Sequence, residues 1–249
     1  MRARAEIDWR PDPNFVRIAL ERRVLILRRE ILPHAGAIAM RLGELETSRH
    51  AAGAGNRASG YRVTLEGAPE LFARRARRGG LMRLLLAETF FGIRPRPLAE
   101  LAVAAEAHRR GISVAEPMGA SVEPVGPALY RGFFLTRAIA GRTLWEFVRA
   151  DDDPIVREHV LLKTRAVVAT MHNLGVFHAD LNLHNLFVTQ AGESFAVVIL
   201  DLDKARIFDA PLSAALRRRN AWRLMRSARK LDPAGRYFDA AALKILDVG

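Results

Sequence analysis

The amino-acid sequence predicts an α+β fold, with a small antiparallel sheet followed by a mainly helical region. Two patterns carry that expectation. Between residues 45 and 137, short β-branched and aromatic runs are separated by turns containing Gly and Pro. From 138 onward, two long segments repeat apolar residues at helical spacing, and a strand–turn–strand pattern lies between them.

The chain of 249 residues is 50% hydrophobic, enough for a substantial core in one large domain or two lobes. It has no cysteine, which excludes disulfides and thiolate metal sites and suits a reducing compartment. The first residues carry no apolar h-region, so no signal peptide is expected. No uninterrupted apolar stretch reaches the roughly 18 residues that a spanning helix needs. The formal charge of +12 suits an anionic partner: nucleic acid, an acidic membrane surface or a phosphorylated glycolipid. The aromatic residues form no stacking array and no zinc-ligand cluster is present, so no nucleic acid is expected.

Taken in order, Arg17 to Leu32 places Ile18, Val24, Leu25, Leu27 and Leu32 at helical spacing among many charges. That predicts an N-terminal helix packed on the fold and ended by Pro33. The Gly-rich stretch Ala51 to Gly60 precedes two strands, Tyr61–Leu65 and Leu71–Arg74, joined by the turn Glu66-Gly67-Ala68-Pro69. Glycine beside a strand lets backbone N–H groups approach a phosphate closely. Gly53 and Gly55 are therefore candidates for a nucleotide-covering loop, against the plainer reading of a flexible connection. Leu81 to Phe91 follows a basic cluster and reads as an apolar helix, either in the core or lying in a membrane interface. A helix starts near Pro97, with Leu98, Leu101, Ala102 and Ala105 on its apolar face. Gly111 to Pro117 reads as a loop and strand, Phe133 to Thr136 as an apolar strand, and Thr143 to Val148 as a short helix. Ile155 to Asn173 is a long helix, and Gly175 is its stop signal.

The chemistry concentrates in His178-Ala179-Asp180-Leu181-Asn182-Leu183-His184-Asn185 and in Asp201-Leu202-Asp203. Leu186–Thr189 and Phe195–Leu200 read as the strands of a hairpin around the turn Gln190 to Ser194. A hairpin returns its far end, Asp201, beside Asn185. Phosphoryl transfer needs a carboxylate to orient and deprotonate the attacking hydroxyl, and oxygen ligands for Mg²⁺. Asp180 fits the first role; Asn185 and Asp201 fit the second. His178 fits a supporting hydrogen-bonding role, His184 caps the loop or contacts an anionic acceptor, and Asp203 either adds a metal contact or neutralises Arg206.

These residues resemble a known pattern. H-A-D-L-N-L-H-N fits the protein-kinase-like catalytic loop H-x-D-x-x-x-x-N, and I-L-D-L-D resembles the metal-binding D-F-G segment, with Asp203 in place of its glycine. H-A-D-L-N-x-H-N followed by D-[FL]-D is more similar still to the bacterial lipopolysaccharide kinases, among them the 3-deoxy-D-manno-octulosonic acid (Kdo) kinases. The similarity extends from about Ala51 to Leu231. The resemblance implies a protein-kinase-like two-lobed fold, divided into an N-terminal extension with a helix at 1–44, a sheet lobe at 45–137 and a helical lobe at 138–249. It also implies ATP and Mg²⁺ as cofactors, and a cation gripping the α- and β-phosphates, itself held by a helix carboxylate. Arg74, ahead of the R-R-G-G stretch Arg77 to Gly80, is the candidate cation, and Glu100 the candidate carboxylate. A membrane- or substrate-facing Arg74 and an ordinary solvated Glu100 are the alternatives. Arg137 to Gly141 takes the place of the hinge that meets the adenine, with Arg137 and Ile139 as its named residues. No long activation segment or A-P-E is present, which argues against a peptide substrate.

The tail from Leu212 to Leu231 has Leu216, Ala221, Leu224, Met225, Ala228 and Leu231 on one side of a helical wheel. Arg218, Arg219, Arg223, Arg226, Arg229 and Lys230 share the other. That face is either a solvated outer surface or a contact for an anionic membrane or lipid-linked sugar. The resemblance implies ATP-dependent phosphorylation of the 4-OH of Kdo on lipid A, at the cytoplasmic face of the inner membrane, by a peripherally held enzyme. A core heptose, another small-molecule alcohol or a protein hydroxyl is the alternative acceptor. A non-catalytic membrane scaffold or nucleic-acid-binding protein is the alternative of a different class.

Overall fold

The computed structural model describes residues 12–20, 22–47, 60–75, 90–91, 95–126, 129–192 and 194–249. The chain divides into two units. One contains the described residues up to Ala105 and Glu116–Ala138; the other contains Glu106–Ala115 and Ile139–Gly249. The first is built on an antiparallel sheet and the second is mainly helical, in agreement with the α+β expectation.

The sheet unit begins with β1 (Phe15–Leu20) and β2 (Arg23–Arg28), which pair antiparallel from Phe15↔Arg28 to Leu20↔Arg23. This corrects the helix expected over Arg17 to Leu32. Leu25 and Leu27 alternate toward one sheet face and Ile26 toward the other, and all three are buried. A strand covered on both faces reads as a continuous apolar run, which spacing alone does not separate from a helix. Pro33 does not end a helix either. It lies within a 3₁₀ turn, Arg29–His34, that leads directly into α1 (Ala35–Thr47). At the entry to a helix its missing N–H removes no hydrogen bond.

The remaining strands are β3 (Gly60–Val63), β4 (Leu71–Arg75), β5 (Phe90–Phe91), β6 (Pro117–Gly126) and β7 (Leu129–Arg137). The order in the sheet is β1-β2-β6-β7-β4-β3, with β5 also pairing β7. Phe90 and Phe91 are thus strand and not the end of an apolar helix; the rest of that expected helix, residues 81–89, lies outside the described residues. One face of the sheet packs Leu25, Leu27, Leu71, Ala73, Phe133 and Leu135 against Ile38 and Leu42 of α1. α2 (Arg96–Arg109) starts where sequence placed it. Its first turn packs Leu98 on Val122 and Tyr130, whose hydroxyl accepts the Arg96 N–H.

In the helical unit, β8 (Arg142–Thr143) leads into α3 (Leu144–Ala150). Thr143 and Glu146 form a reciprocal capping box at its start. α4 (Pro154–Asn173) is N-capped by Asp153. Then come β9 (Val176–Phe177), the hairpin β10 (Leu186–Ala191) and β11 (Ser194–Ile199), and β12 (Arg206–Ile207), which pairs β9. α5 (Ala214–Leu231) and α6 (Ala240–Leu246) complete the unit. Among the described residues no helix is long and apolar enough to cross a membrane.

Candidate active site

The loop carrying Asp180 is fixed before it reaches that residue. Gly175 ends α4 in the left-handed region, at φ +77, and its N–H is donated to His172 O at 3.1 Å. A Cβ there would lie 2.4 Å from Phe208 O, so the glycine is needed both for its conformation and for the close approach of the chain beside β12. Two residues of β9 follow, and then His178.

His178 is buried, and its two ring nitrogens join two parts of the site. Nδ1 accepts the Asp180 N–H at 3.1 Å, which places the ring proton on Nε2. Nε2 donates to Leu200 O at 3.0 Å, immediately before Asp201. Burial lowers the His178 pKa, against the opposing effects of the Leu200 bond and the Asp201 and Asp180 charges. A neutral imidazole with both nitrogens engaged is a staple rather than a proton carrier.

Within the loop, Asn182 and Asn185 converge on one carbonyl. Their Nδ2 groups donate to Asp180 O at 2.9 and 2.8 Å. Asn182 Oδ1 accepts the His184 N–H at 2.9 Å, and the Asn185 N–H is donated to Asn182 O at 3.1 Å. Asn185 Nδ2 is thereby fixed inward on the loop, and no described residue donates to its Oδ1. The hairpin closes the arrangement. Leu186 pairs with Ile199, and the Leu200 N–H is donated to Asn185 O at 2.8 Å. Asp201 then turns into the left-handed region at φ 58, the one non-glycine residue to do so among those described. Asp tolerates that region better than most side chains, at a cost of about 1 kcal/mol. The sharp turn follows directly on the Leu200 linkages, and Asp180 and Asp201 are both exposed while Asn185 is half-buried.

The donor set fits Mg²⁺. An amide oxygen and a carboxylate are hard ligands, and a site with few protein ligands leaves positions for water and phosphate. Among the described residues no cluster of three or more His, Asp or Glu forms an all-protein metal cage.

Sequence reasoning missed what lies behind the loop. Asn220, buried on α5, donates through Nδ2 to His178 O at 2.6 Å. Its Oδ1 accepts the His178 N–H at 3.4 Å and His172 Nε2–H at 3.1 Å. Ser227, two turns further along α5, accepts the Leu183 N–H at 3.3 Å. The available signal was a polar residue, Asn220, between Leu216 and Leu224 at i±4 on the apolar side of the helix. His172 itself is buried, and its Nδ1 faces the Val248 backbone without a hydrogen bond of good geometry. Burial takes its pKa down to about 4, with the Arg217 charge adding to the effect and the Asn220 bond opposing it.

In the sheet unit, Arg74 forms an ion pair with Glu100 of α2. Strand alternation determines which arginine does so. Arg74 pairs in register with Phe134, on the face carrying Ala120 and Ile26. Arg75 points to the opposite face, where its guanidinium bonds Leu45 O of α1 and lies 5.4 Å from the Phe133 ring centroid. Glu100 is buried. Arg137 donates its N–H to Glu116 O at 2.9 Å, and its side chain bridges Glu116 at 2.5 Å and Glu30 at 2.7 Å. Ile139 is the first residue of the helical unit after Ala138. Gly53 and Gly55, like Arg77 to Gly80, lie outside the described residues.

The family model described as "Lipopolysaccharide kinase (Kdo/WaaP) family" matches residues 49–241, which contain the whole of this loop and hairpin. The chain belongs to this family. It is 30% identical over 186 residues to the 3-deoxy-D-manno-octulosonic acid kinase of Xylella fastidiosa (strain 9a5c), covering 73% of this chain and 70% of that protein. It is 31% identical over 110 residues to the enzyme of the same name from Pasteurella multocida (strain Pm70), covering 44% of this chain and 45% of that protein. This lipopolysaccharide kinase family member thus spans less than half of the Pasteurella enzyme. A solved structure described as WaaP in complex with acyl carrier protein matches with a TM-score of 0.46 at 18% identity, over 75% of this chain and 81% of that one.

Proposed function

We propose that the chain is an ATP-dependent phosphotransferase acting on a sugar hydroxyl in lipopolysaccharide core biosynthesis, with the 4-OH of Kdo on lipid A as acceptor. The observation that carries this reading is the His178 staple. One buried imidazole ties the Asp180 backbone to the carbonyl preceding Asp201, while Asn185 is tied to the Asp180 carbonyl. Membership of the lipopolysaccharide kinase family supports the substrate class, and the relatives named as Kdo kinases support the acceptor.

Asp180 orients the acceptor hydroxyl and takes its proton as the oxygen attacks. Asn185 Oδ1 and the Asp201 carboxylate hold Mg²⁺. Bound Mg²⁺·ATP supplies the phosphoryl group and neutralises part of its charge. Arg74, steadied by buried Glu100, grips the α- and β-phosphates with a fork that a lysine would not provide. Gly53 and Gly55 belong to the loop that covers the nucleotide, and the backbone of Arg137 to Ile139 meets the adenine. The enzyme works peripherally on the cytoplasmic face of the inner membrane, drawn by its net charge of +12.

The test is transfer of labelled γ-phosphate to Kdo-lipid A with Mg²⁺. Asp180→Asn should lower turnover by roughly 10²–10⁴-fold while leaving ATP affinity within a few fold. Transfer to a different sugar that the variant abolishes would keep the kinase and remove the Kdo assignment. Absence of variant-sensitive ATP turnover with every acceptor would remove both.

A further inference from the structure

The helical unit carries a surface that the reaction does not use. Along α5, Arg218, Arg219, Trp222, Arg226, Arg229 and Lys230 are all exposed. At 100° per residue they occupy an arc of about 120°. Trp222 stands near the middle of that arc and is 56% exposed, one of the few large apolar side chains open to solvent among the described residues. The Arg226 guanidinium lies 5.2 Å from its ring centroid, and the Arg219 guanidinium 5.8 Å from that of Phe177. The helix has no acidic residue from Ala214 to Leu231. No described carboxylate forms an ion pair with any of these five cations.

Other helix surfaces are managed differently. Arg109 and Arg110 at the end of α2 share Glu106, and Arg41 on α1 pairs with Glu44. An ordinary solvated face mixes both signs. Five unneutralised cations around an exposed indole combine the two groups that hold a protein at a bilayer surface. Cations are attracted to anionic headgroups, and the indole settles at the boundary between headgroups and chains. The side of α5 turned toward the catalytic loop is separate. Asn220 and Ser227, which hold that loop, lie together on the wheel roughly 60–80° past the Lys230 edge of the exposed arc.

We propose that this face of α5 is the membrane-docking surface, with an anionic phospholipid bilayer as its occupant and Trp222 as its interfacial anchor. Charge complementarity selects an anionic partner, and the central indole selects a bilayer over a purely polyanionic one. The inference deepens the proposed function and rests on its reading of a membrane-borne acceptor. Vesicle binding requires neither ATP nor acceptor, so the two can fail separately.

The experiment is co-sedimentation of the full chain with phosphatidylethanolamine–phosphatidylglycerol vesicles and with phosphatidylcholine vesicles, alongside tryptophan emission. The native protein should bind the anionic vesicles in a salt-sensitive way and shift its emission to the blue. Replacing Arg218, Arg226 and Arg229 together with Ser should weaken binding on the order of a hundredfold. Replacing the same three with Lys should retain it, which separates lost charge from lost structure. Trp222→Phe should abolish most of the blue shift, since Trp9 and Trp145 remain. Kdo-lipid A dispersed in detergent should be phosphorylated equally by native and Ser-substituted protein. Native-like vesicle binding by the Ser variant, or a blue shift that persists in Trp222→Phe, overturns the proposal. So does salt-sensitive binding to an RNA homopolymer with none to the vesicles.

Discussion

Asn220 shows how much one buried amide can organise. It satisfies both backbone groups of His178 and the ring N–H of His172, three polar groups of buried residues. Asn220→Ala removes all three bonds at once. Each buried group left unpaired costs about 1–3 kcal/mol, so unfolding stability should fall by about 3 kcal/mol or more in denaturant titrations. In the proposed reaction, kcat should fall more than the KM for ATP rises, because the loop that loosens carries Asp180. His172 adds a pH dependence. Its folded pKa of about 4 lies below the unfolded value near 6.5, so the unfolded chain binds a proton that the folded chain excludes. The stabilisation is complete above about pH 6.5 and is lost as the pH falls toward 4. By pH 5 the loss relative to neutral pH should amount to about 2 kcal/mol. His172→Gln, which retains an N–H for Asn220, should flatten that part of the stability curve. Asp180, Asn185 and Asp201 could be proposed from sequence because their spacing fits a chemistry. Asn220 could not, because its partners are the backbone of His178, 42 residues away, and the ring of His172, 48 residues away.

At the level of elements, alternation along a strand determines more than composition does. Arg74 and Arg75 are neighbours of one residue type, yet β4 sends one to Glu100 and the other to α1. β2 does the same with its charges. Arg23 points to the α1 face, where its guanidinium meets Glu46 at 2.6 Å and Glu123 at 2.8 Å, with Ser121 at 3.0 Å. Burial raises the Glu46 pKa, with Glu123 adding to the rise and Arg23 opposing it. Arg23→Leu would leave two carboxylates facing each other without their cation. The loss should be about 3–5 kcal/mol at pH 7 by chemical denaturation. It should shrink as the pH falls, because a protonated Glu46 no longer repels Glu123 and the folded state then binds the additional proton. β1 and β2 were read as helix for a related reason. No Gly, Pro, Asn or Asp lies between Leu20 and Arg23 to signal a turn, and the run Val24 to Leu27 is apolar throughout. The hairpin β10–β11 was legible because its strands are β-branched and Gly192 marks the turn. α6 was missed because seven residues are too few for a clear period.

At the scale of the whole molecule, the proposed ligand Mg²⁺·ATP binds a folded arrangement that the unfolded chain lacks. Ligand binding to the native state alone then stabilises the chain by mass action. At a hundredfold excess over Kd, Mg²⁺·ATP should contribute about 2.7 kcal/mol and raise the thermal midpoint by about 5–10 °C. ATP without Mg²⁺ should give a smaller rise. Asp201→Asn should remove the difference between the two conditions, and Arg74→Ala should diminish both, as read by differential scanning fluorimetry. The order of sheet and helices was legible because it follows from local pattern. Inclusion of β1 and β2 in the main sheet was not, because it depends on pairing with β6 roughly a hundred residues away.

The peptide of Leu200 is held from both sides, its N–H by Asn185 and its carbonyl by His178. Opening either link exposes the other, so the segment bearing Asp180 and the segment bearing Asp201 share one local unfolding equilibrium. The amide hydrogens of Asp180 and Leu200 therefore exchange with solvent through a common event, and the two carboxylates gain or lose their placement together.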